Sequence, residues 1–302
     1  MEYNNDINNC DNDVPTIKIS KEYLDNINSI IDIEGLDKYF GDWIHNVDKL
    51  QEQFLNAEPF ENIIIDNFLN IEYIEKLYSQ FPNEFSNWHH YNNPLEVKYA
   101  YDNIDKLPED LKKFFYLLSS NKMIEIISKL TNIDNIEYDE YLHGAGLHAH
   151  PANGRLNIHL DYERHPYSNK ERRTNIILYL NKYWNSEWNG ATELWDKDIK
   201  NSVLKSDVRF NSAIIFKTNE ISWHGLPLKI KCPEGVYRKT LAYYYVSPLS
   251  VHKEKYRYKA TFSKTKNEPY CENMAKLYKI RADRRITEAD IEKYIPHWHN
   301  KL

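Results

Sequence analysis

His159 and Asp161 stand two residues apart in the run Asn157-Ile158-His159-Leu160-Asp161. On an extended segment side chains alternate, so residues at i and i+2 leave the same face. An imidazole and a carboxylate placed that way can grip one side of a metal ion. A third donor from a distant segment, His224 in Trp223-His224-Gly225, completes a set of two histidines and one carboxylate. Such a set leaves positions open on non-haem Fe(II) for a co-substrate and O2. The spacing alone is common. It gains meaning because Arg155, Asn157, His159 and Asp161 share one face while Leu156, Ile158 and Leu160 share the other. A buried carboxylate or imidazole on that polar face needs a partner or a metal. His143, His148, His150 and His165 crowd the same region and read as cavity-wall residues. His89, His90, His297 and His299 read as surface residues.

Iron that activates O2 needs electrons, commonly drawn from a 2-oxoacid held on the metal. The far carboxylate of that molecule needs a cation, and the rigid guanidinium fork serves better than an ammonium. Arg238 opens the strand-like run that follows His224, and Thr240 shares its face two residues on. A surface ion pair fits Arg238 poorly, because Leu241-Ala242-Tyr243-Tyr244-Tyr245-Val246 comes next.

The elements that position these residues are legible in outline. Ser20 is placed to cap a first helix, and Tyr39, Phe40, Trp43, Ile44, Val47, Leu50 and Phe54 recur at helical spacing. Ile63-Ile64-Ile65 reads as a short strand leading to a helix capped by Asn70, and 107–130 reads as two further helices. From Asn135 the character changes to short β-prone runs: 138–142, 155–161, 175–180, 191–194, 212–216 and 238–246. Turn residues separate them, which favours a sandwich or partly open barrel over an alternating βαβ fold. The Asn- and Asp-rich residues 1–13 read as a frayed terminus.

Composition narrows the function classes. The chain has 302 residues, 41% of them hydrophobic, 24 tyrosines and 7 tryptophans, enough to bury a large core. Cys10, Cys232 and Cys271 are few and far apart, so they suggest neither a disulfide framework nor a zinc knuckle. No span approaches the length of a transmembrane helix. The start Met1-Glu2-Tyr3-Asn4-Asn5-Asp6 lacks a signal peptide's basic and apolar segments, which favours an intracellular, cytoplasmic setting. The net charge of -6 argues against a nucleic-acid partner. Lys255, Arg257, Lys259, Lys264, Lys266, Lys279, Arg281, Arg284 and Arg285 nevertheless make the C-terminal stretch basic. They read as a solvated extension or as a surface for an anionic partner.

Taken in order, these marks resemble the Fe(II)/2-oxoglutarate-dependent oxygenases of the prolyl-4-hydroxylase-like branch, over roughly 60–248. The residues that carry the resemblance are Ile64-Ile65-Asp66-Asn67-Phe68-Leu69, Gly146-Leu147-His148 and Gly154 to Asp161. They continue with Arg173 to Asn181, Trp188 to Trp195, Trp223-His224-Gly225 and Arg238-Lys239-Thr240. The resemblance implies a mostly β fold with flanking helices: a double-stranded β-helix, the distorted, cupin-like jelly roll. It implies His159, Asp161 and His224 as metal ligands. It implies Arg238, Thr240 and Tyr179 around the 2-oxoglutarate carboxylate, with Asn157 and Asn175 lining the cavity. The expected cofactors are Fe(II), 2-oxoglutarate and O2, with ascorbate as a possible reductant.

On that resemblance the chain divides into an N-terminal helical extension (1–56), an oxygenase domain (57–248, β-helix core from about 135) and a basic C-terminal extension (249–302). Gly190-Ala191 departs from the family's usual glycine pair. The long gap from His224 to Arg238 is expected to lie over the mouth; Trp184, Trp188 and Trp195 surround a loop and read as structural residues, with an aromatic rim as the alternative. Relatives that dealkylate nucleic acids carry an arginine where this chain has Tyr244. The resemblance implies hydroxylation of a prolyl or other residue of a peptide or protein. A free amino acid or a sugar-linked or other small molecule is the alternative substrate, and a non-catalytic cupin-like metal-binding or interaction module the alternative class. No membrane partner is expected, and the oligomeric state is left open.

Overall fold

A computed structural model describes residues 18–251 and 253–301. The expected frayed stretch and Cys10 lie outside the described residues. Thirteen strands pair antiparallel among the described residues: β1 (Asn62–Asp66), β2 (His89–Asn93), β3 (Glu96–Tyr101), β4 (Glu137–Tyr138), β5 (Gly146–His150), β6 (Arg155–Leu160) and β7 (Glu171–Tyr179). They continue with β8 (Thr192–Trp195), β9 (Ser202–Ser206), β10 (Ser212–Lys217), β11 (His224–Leu226), β12 (Arg238–Ser247) and β13 (Thr261–Phe262). Their order is β1-β10-β7-β12-β5-β3-β6-β11-β8-β9, with β2 and β4 beside β3 and β12, and β13 beside β6. Strand β3 thus joins two curved sheets into a nearly closed barrel, a distorted double-stranded β-helix. The two sheets face each other, since the Tyr179 hydroxyl on β7 reaches Thr192 Oγ1 on β8 at 2.8 Å.

Alternation decides which face is which. On β12, Leu241, Tyr243 and Tyr245 turn outward to the helices, where the Tyr243 hydroxyl meets Ser119 Oγ at 2.7 Å and the Tyr245 hydroxyl donates to the Leu118 carbonyl. Arg238, Thr240 and Tyr244 are left on the other face. Five helices precede the barrel's later strands: α1 (Lys21–Glu34), α2 (Val47–Leu55), α3 (Ile71–Gln80), α4 (Glu109–Leu118) and α5 (Asn121–Thr131). Ser20 and Asn70 accept N-terminal amide hydrogens as their positions suggested. Apolar faces of α1 and α2 share one continuous core with β5, β7 and β12. The chain ends in α6 (Glu272–Asp283) and α7 (Glu288–Tyr294). No helix among the described residues is long and apolar enough to cross a membrane.

Two strand expectations differ from what forms. The run 138–142 pairs only at Glu137–Tyr138, because the Asp139 carboxylate accepts the Tyr141 amide and turns the chain. His148-Ala149-His150 instead lies within β5, its last residue paired with Arg238.

Candidate metal centre

Register brings His159 and His224 together: they are direct cross-strand partners on β6 and β11. Asp161 follows just beyond the end of β6. Donor atoms from His159, Asp161 and His224 all lie within 4.8 Å of one another. His159 Nε2 is 3.5 Å from Asp161 Oδ1, and His224 Nε2 is 3.7 Å from Asp161 Oδ2.

Gly225 permits this approach, since a Cβ there would sit 2.7 Å from the Leu156 carbonyl oxygen and 2.9 Å from that of Asn157. Both imidazoles are anchored through the same nitrogen. His159 Nδ1–H donates to the Asn157 carbonyl and His224 Nδ1–H to the Ser222 carbonyl, each at 2.9 Å. With the proton held on Nδ1, each Nε2 presents a lone pair to the centre.

Electrostatics fit a cation. Burial alone would raise the Asp161 carboxyl, but the His224 ring, the His159 ring and the Arg172 guanidinium hold it well below the usual carboxylate range. Burial and the neighbouring His159 push His224 down to about 4, keeping it neutral and able to ligate. Asp161 Oδ2 is buried without a hydrogen bond. A metal ion bonded to these N and O donors would satisfy all three groups. This cluster is positioned to chelate a metal ion.

At the other end of the short strands lies Arg238, only 2% exposed. Its Nε donates to the Gly190 carbonyl at 2.6 Å and its Nη2 to Thr192 Oγ1 at 2.9 Å. Tyr179 stands beside it, the guanidinium 5.1 Å from the ring centre. No carboxylate pairs with Arg238 among the described residues, and burial depresses its pKa. A buried cation without a counter-charge costs several kcal/mol. Thr240 is buried on the same face of β12. His150, the register partner of Arg238, is buried with neither ring nitrogen hydrogen-bonded. Burial and the Arg238 and Lys98 charges keep both His150 and His148 neutral.

Asn175 and Asn157 are both buried, and the side-chain oxygen of each is without a hydrogen bond among the described residues.

Segment 145–246 matches the model of the 2OG-Fe(II) oxygenase superfamily. Residues 145–246 therefore carry a segment of that superfamily's type. No curated protein sequence matches the chain. Among solved structures the chain is similar to a Pseudomonas putida prolyl-4-hydroxylase, 12% identical over 68% of this chain and 100% of the other, with a TM-score of 0.49. It is similar to a prolyl hydroxylase from Trichoplax adhaerens solved with a hypoxia-inducible-factor peptide, 18% identical over 70% and 96% of the two chains, TM-score 0.45. Streptomyces hygroscopicus HygX with nickel, 2-oxoglutarate and hygromycin B is 13% identical over 62% and 82%, TM-score 0.40. The family assignment rests on the matched segment and on the His159, Asp161, His224 cluster.

Sequence reasoning missed Arg172. It lies fully buried between the rings of Tyr162 and Tyr244, 3.6 and 3.4 Å from their centres, with Nη1 3.6 Å from Asp161 Oδ2. Alternation from Asn175 puts Arg173 on the inner face. A bulge, in which the partners of Tyr245 and Val246 skip from Thr174 to Arg172, moves Arg172 there instead.

The loop after β11 also differs from expectation. It leaves the end of that strand opposite His224, and Ile230 and Cys232 pack with Trp184, Trp188 and Leu156. Trp195 is buried, its Nε1–H donating to Glu193. This loop, with Trp184 and Trp188, packs away from the metal end, whereas the Trp195 amide donates to the Trp223 carbonyl beside His224.

Proposed function

We propose that the protein is an Fe(II)/2-oxoglutarate-dependent hydroxylase in which His159, Asp161 and His224 hold the metal. Arg238, with Thr192, Thr240 and Tyr179 around it, receives the distal carboxylate of 2-oxoglutarate. The observation that carries this reading is that one barrel holds a three-donor cluster at β6 and β11 and, on β12, a buried guanidinium that has no acidic partner among the described residues. Arginine offers a planar fork for a carboxylate, and the co-substrate supplies the missing counter-charge. When bound, Fe(II) and 2-oxoglutarate supply the oxidising power that inserts one atom of O2 into a C–H bond, leaving succinate and CO2; ascorbate would serve as a reductant.

The chain's share is positional. The Asn157 and Ser222 carbonyls fix the ligand tautomers, and Arg172 holds the carboxylate ionised. The apolar walls formed by Ile214, Phe216 and Leu194 exclude water.

For the substrate, the first reading is a prolyl or other residue of a peptide or protein. Deep burial of the three donors, with side chains only 4–10% exposed, favours a second reading, a free amino acid or a sugar-linked small molecule. Incubation of the Fe(II)-loaded protein with 2-oxoglutarate and size-fractionated cell extract separates them. A one-oxygen mass gain on a peptide supports the first, and on a low-mass metabolite the second. Bound metal with no succinate from any fraction would instead indicate a non-catalytic metal-binding module.

A further inference from the structure

The family-matched segment ends at residue 246, yet the metal end of β6 is completed by residues beyond it. Strand β3 pairs with β6 only at its first residues, Glu96 with Leu156 and Val97 with Arg155. In this antiparallel register β3 begins at Glu96, so beyond Asn157, whose amide donates to the Leu95 carbonyl at 2.9 Å, β6 would present an open edge where it carries His159. β13 occupies that edge, pairing Thr261 with Leu160 and Phe262 with His159. The Ser263 amide donates to the Ile158 carbonyl at 3.0 Å.

Phe262 is 5% exposed, and its ring stacks on the His159 imidazole with centres 5.1 Å apart and planes inclined by 20°. From the opposite side His159 faces His224, at 4.3 Å between ring centres. The imidazole is therefore held between a second ligand and an aromatic wall.

Two further contacts act on the same strand. Tyr278 of α6 lies beside the side chain of Asn157, the residue whose carbonyl fixes the His159 tautomer. Arg257 Nε donates to the Asp161 carbonyl at 3.3 Å, and its Nη2 to the Asn219 carbonyl at 3.0 Å. It thereby ties the end of β6 to the segment that leads into His224. Buried Glu163 anchors the strap, accepting from the Arg257 backbone amide at 3.1 Å and pairing with Lys253 at 2.9 Å.

We infer that residues 253–278 form a strap that builds one wall of the metal centre, with Phe262 and Arg257 as positioning residues for His159 and Asp161. The basic character of this stretch is accordingly spent in part on the centre rather than on an outside partner. The inference rests on the metal reading of His159, Asp161 and His224.

The test is a calorimetric titration of Co(II) into the full chain, with visible absorption of the bound ion, for wild type, Phe262→Leu, Phe262→Tyr, Arg257→Gln and Ile291→Ala. Leucine keeps apolar volume but loses the planar stack; tyrosine restores it. Ile291 is buried in a separate cluster with Val97 and Trp298, so its truncation controls for lost packing.

Aromatic contacts and outer hydrogen bonds of this kind predict Co(II) affinity lower by roughly 3- to 10-fold in Phe262→Leu and in Arg257→Gln. The cobalt spectrum should be altered in both, and Phe262→Tyr near wild type. Ile291→Ala should lower the melting temperature with affinity unchanged. Equal affinity in wild type and Phe262→Leu, or an equal loss in Ile291→Ala, overturns the strap. Failure of the wild type to bind Co(II) overturns the metal reading itself. Should Phe262→Leu not fold, the Arg257→Gln affinity and spectrum decide.

Discussion

Replacing Arg238 by methionine separates a residue that serves the fold from one that waits for a ligand. The side chain is buried and makes two hydrogen bonds, to the Gly190 carbonyl and to Thr192 Oγ1. Losing them leaves acceptors unsatisfied, at about 1–3 kcal/mol. Against this, the substitution removes a buried positive charge that has no acidic partner among the described residues, a relief of similar size. Methionine keeps most of the stem's volume, so the ligand-free protein should melt in urea within about 2 kcal/mol of wild type.

Binding should respond very differently. Truncating one side of a buried, hydrogen-bonded charge pair costs about 2–5 kcal/mol, which is roughly 30- to 5000-fold in affinity. Anaerobic calorimetry of 2-oxoglutarate with the Mn(II)-loaded protein reads that loss. The reasoning is refuted if Arg238→Met binds 2-oxoglutarate within about threefold of wild type. It is equally refuted if the ligand-free variant loses the roughly 3–5 kcal/mol expected of a broken internal ion pair.

Thr192→Val should weaken 2-oxoglutarate binding about 5- to 10-fold in the same titration, because Thr192 Oγ1 joins the Tyr179 hydroxyl to Arg238 Nη2. Gly225→Ala should push β11 off β6 and lower metal affinity by at least about 10-fold, read by competition with a chromogenic chelator, since its Cβ would meet two backbone carbonyl oxygens. His143 is held down to about 3 by burial and the nearby Arg172, whereas the unfolded chain takes its proton near 6.5. Native stability from this group is therefore present above pH 6.5 and lost as pH falls toward 3, at about 1.4 kcal/mol per unit. Urea melts between about pH 6 and 4 should show a slope shallower by that amount in His143→Gln, and an unchanged slope would remove His143 from the account.

The ligand strand was readable because its pattern is local: a period of two separates His159 and Asp161 from apolar neighbours such as Ile158 and Leu160 without any knowledge of the partner strands. Helix caps at Ser20 and Asn70 are equally local. Cross-strand facts were not readable. Pairing of His159 with His224 depends on a glycine whose importance lies in two distant carbonyls. Arg172 reaches the interior through one bulged residue that reverses the alternation. The strap stayed hidden because its strand is two residues long and its single buried aromatic stands among lysines and arginines, a composition that reads as solvated. Strand β5 was masked in the same way, as His148-Ala149-His150 before Pro151 lacks an apolar run although its alternate residues line both core and cavity.

The central claim is that three donors and one arginine hold a ferrous ion and 2-oxoglutarate together. Anaerobic addition of Fe(II) and then 2-oxoglutarate, followed by visible absorption, tests it most directly. The account predicts a charge-transfer band that needs both additions and is absent in Asp161→Ala and, at matched concentration, in Arg238→Met. A wild-type protein that shows no band with both present, or a band that survives in Asp161→Ala, would contradict it.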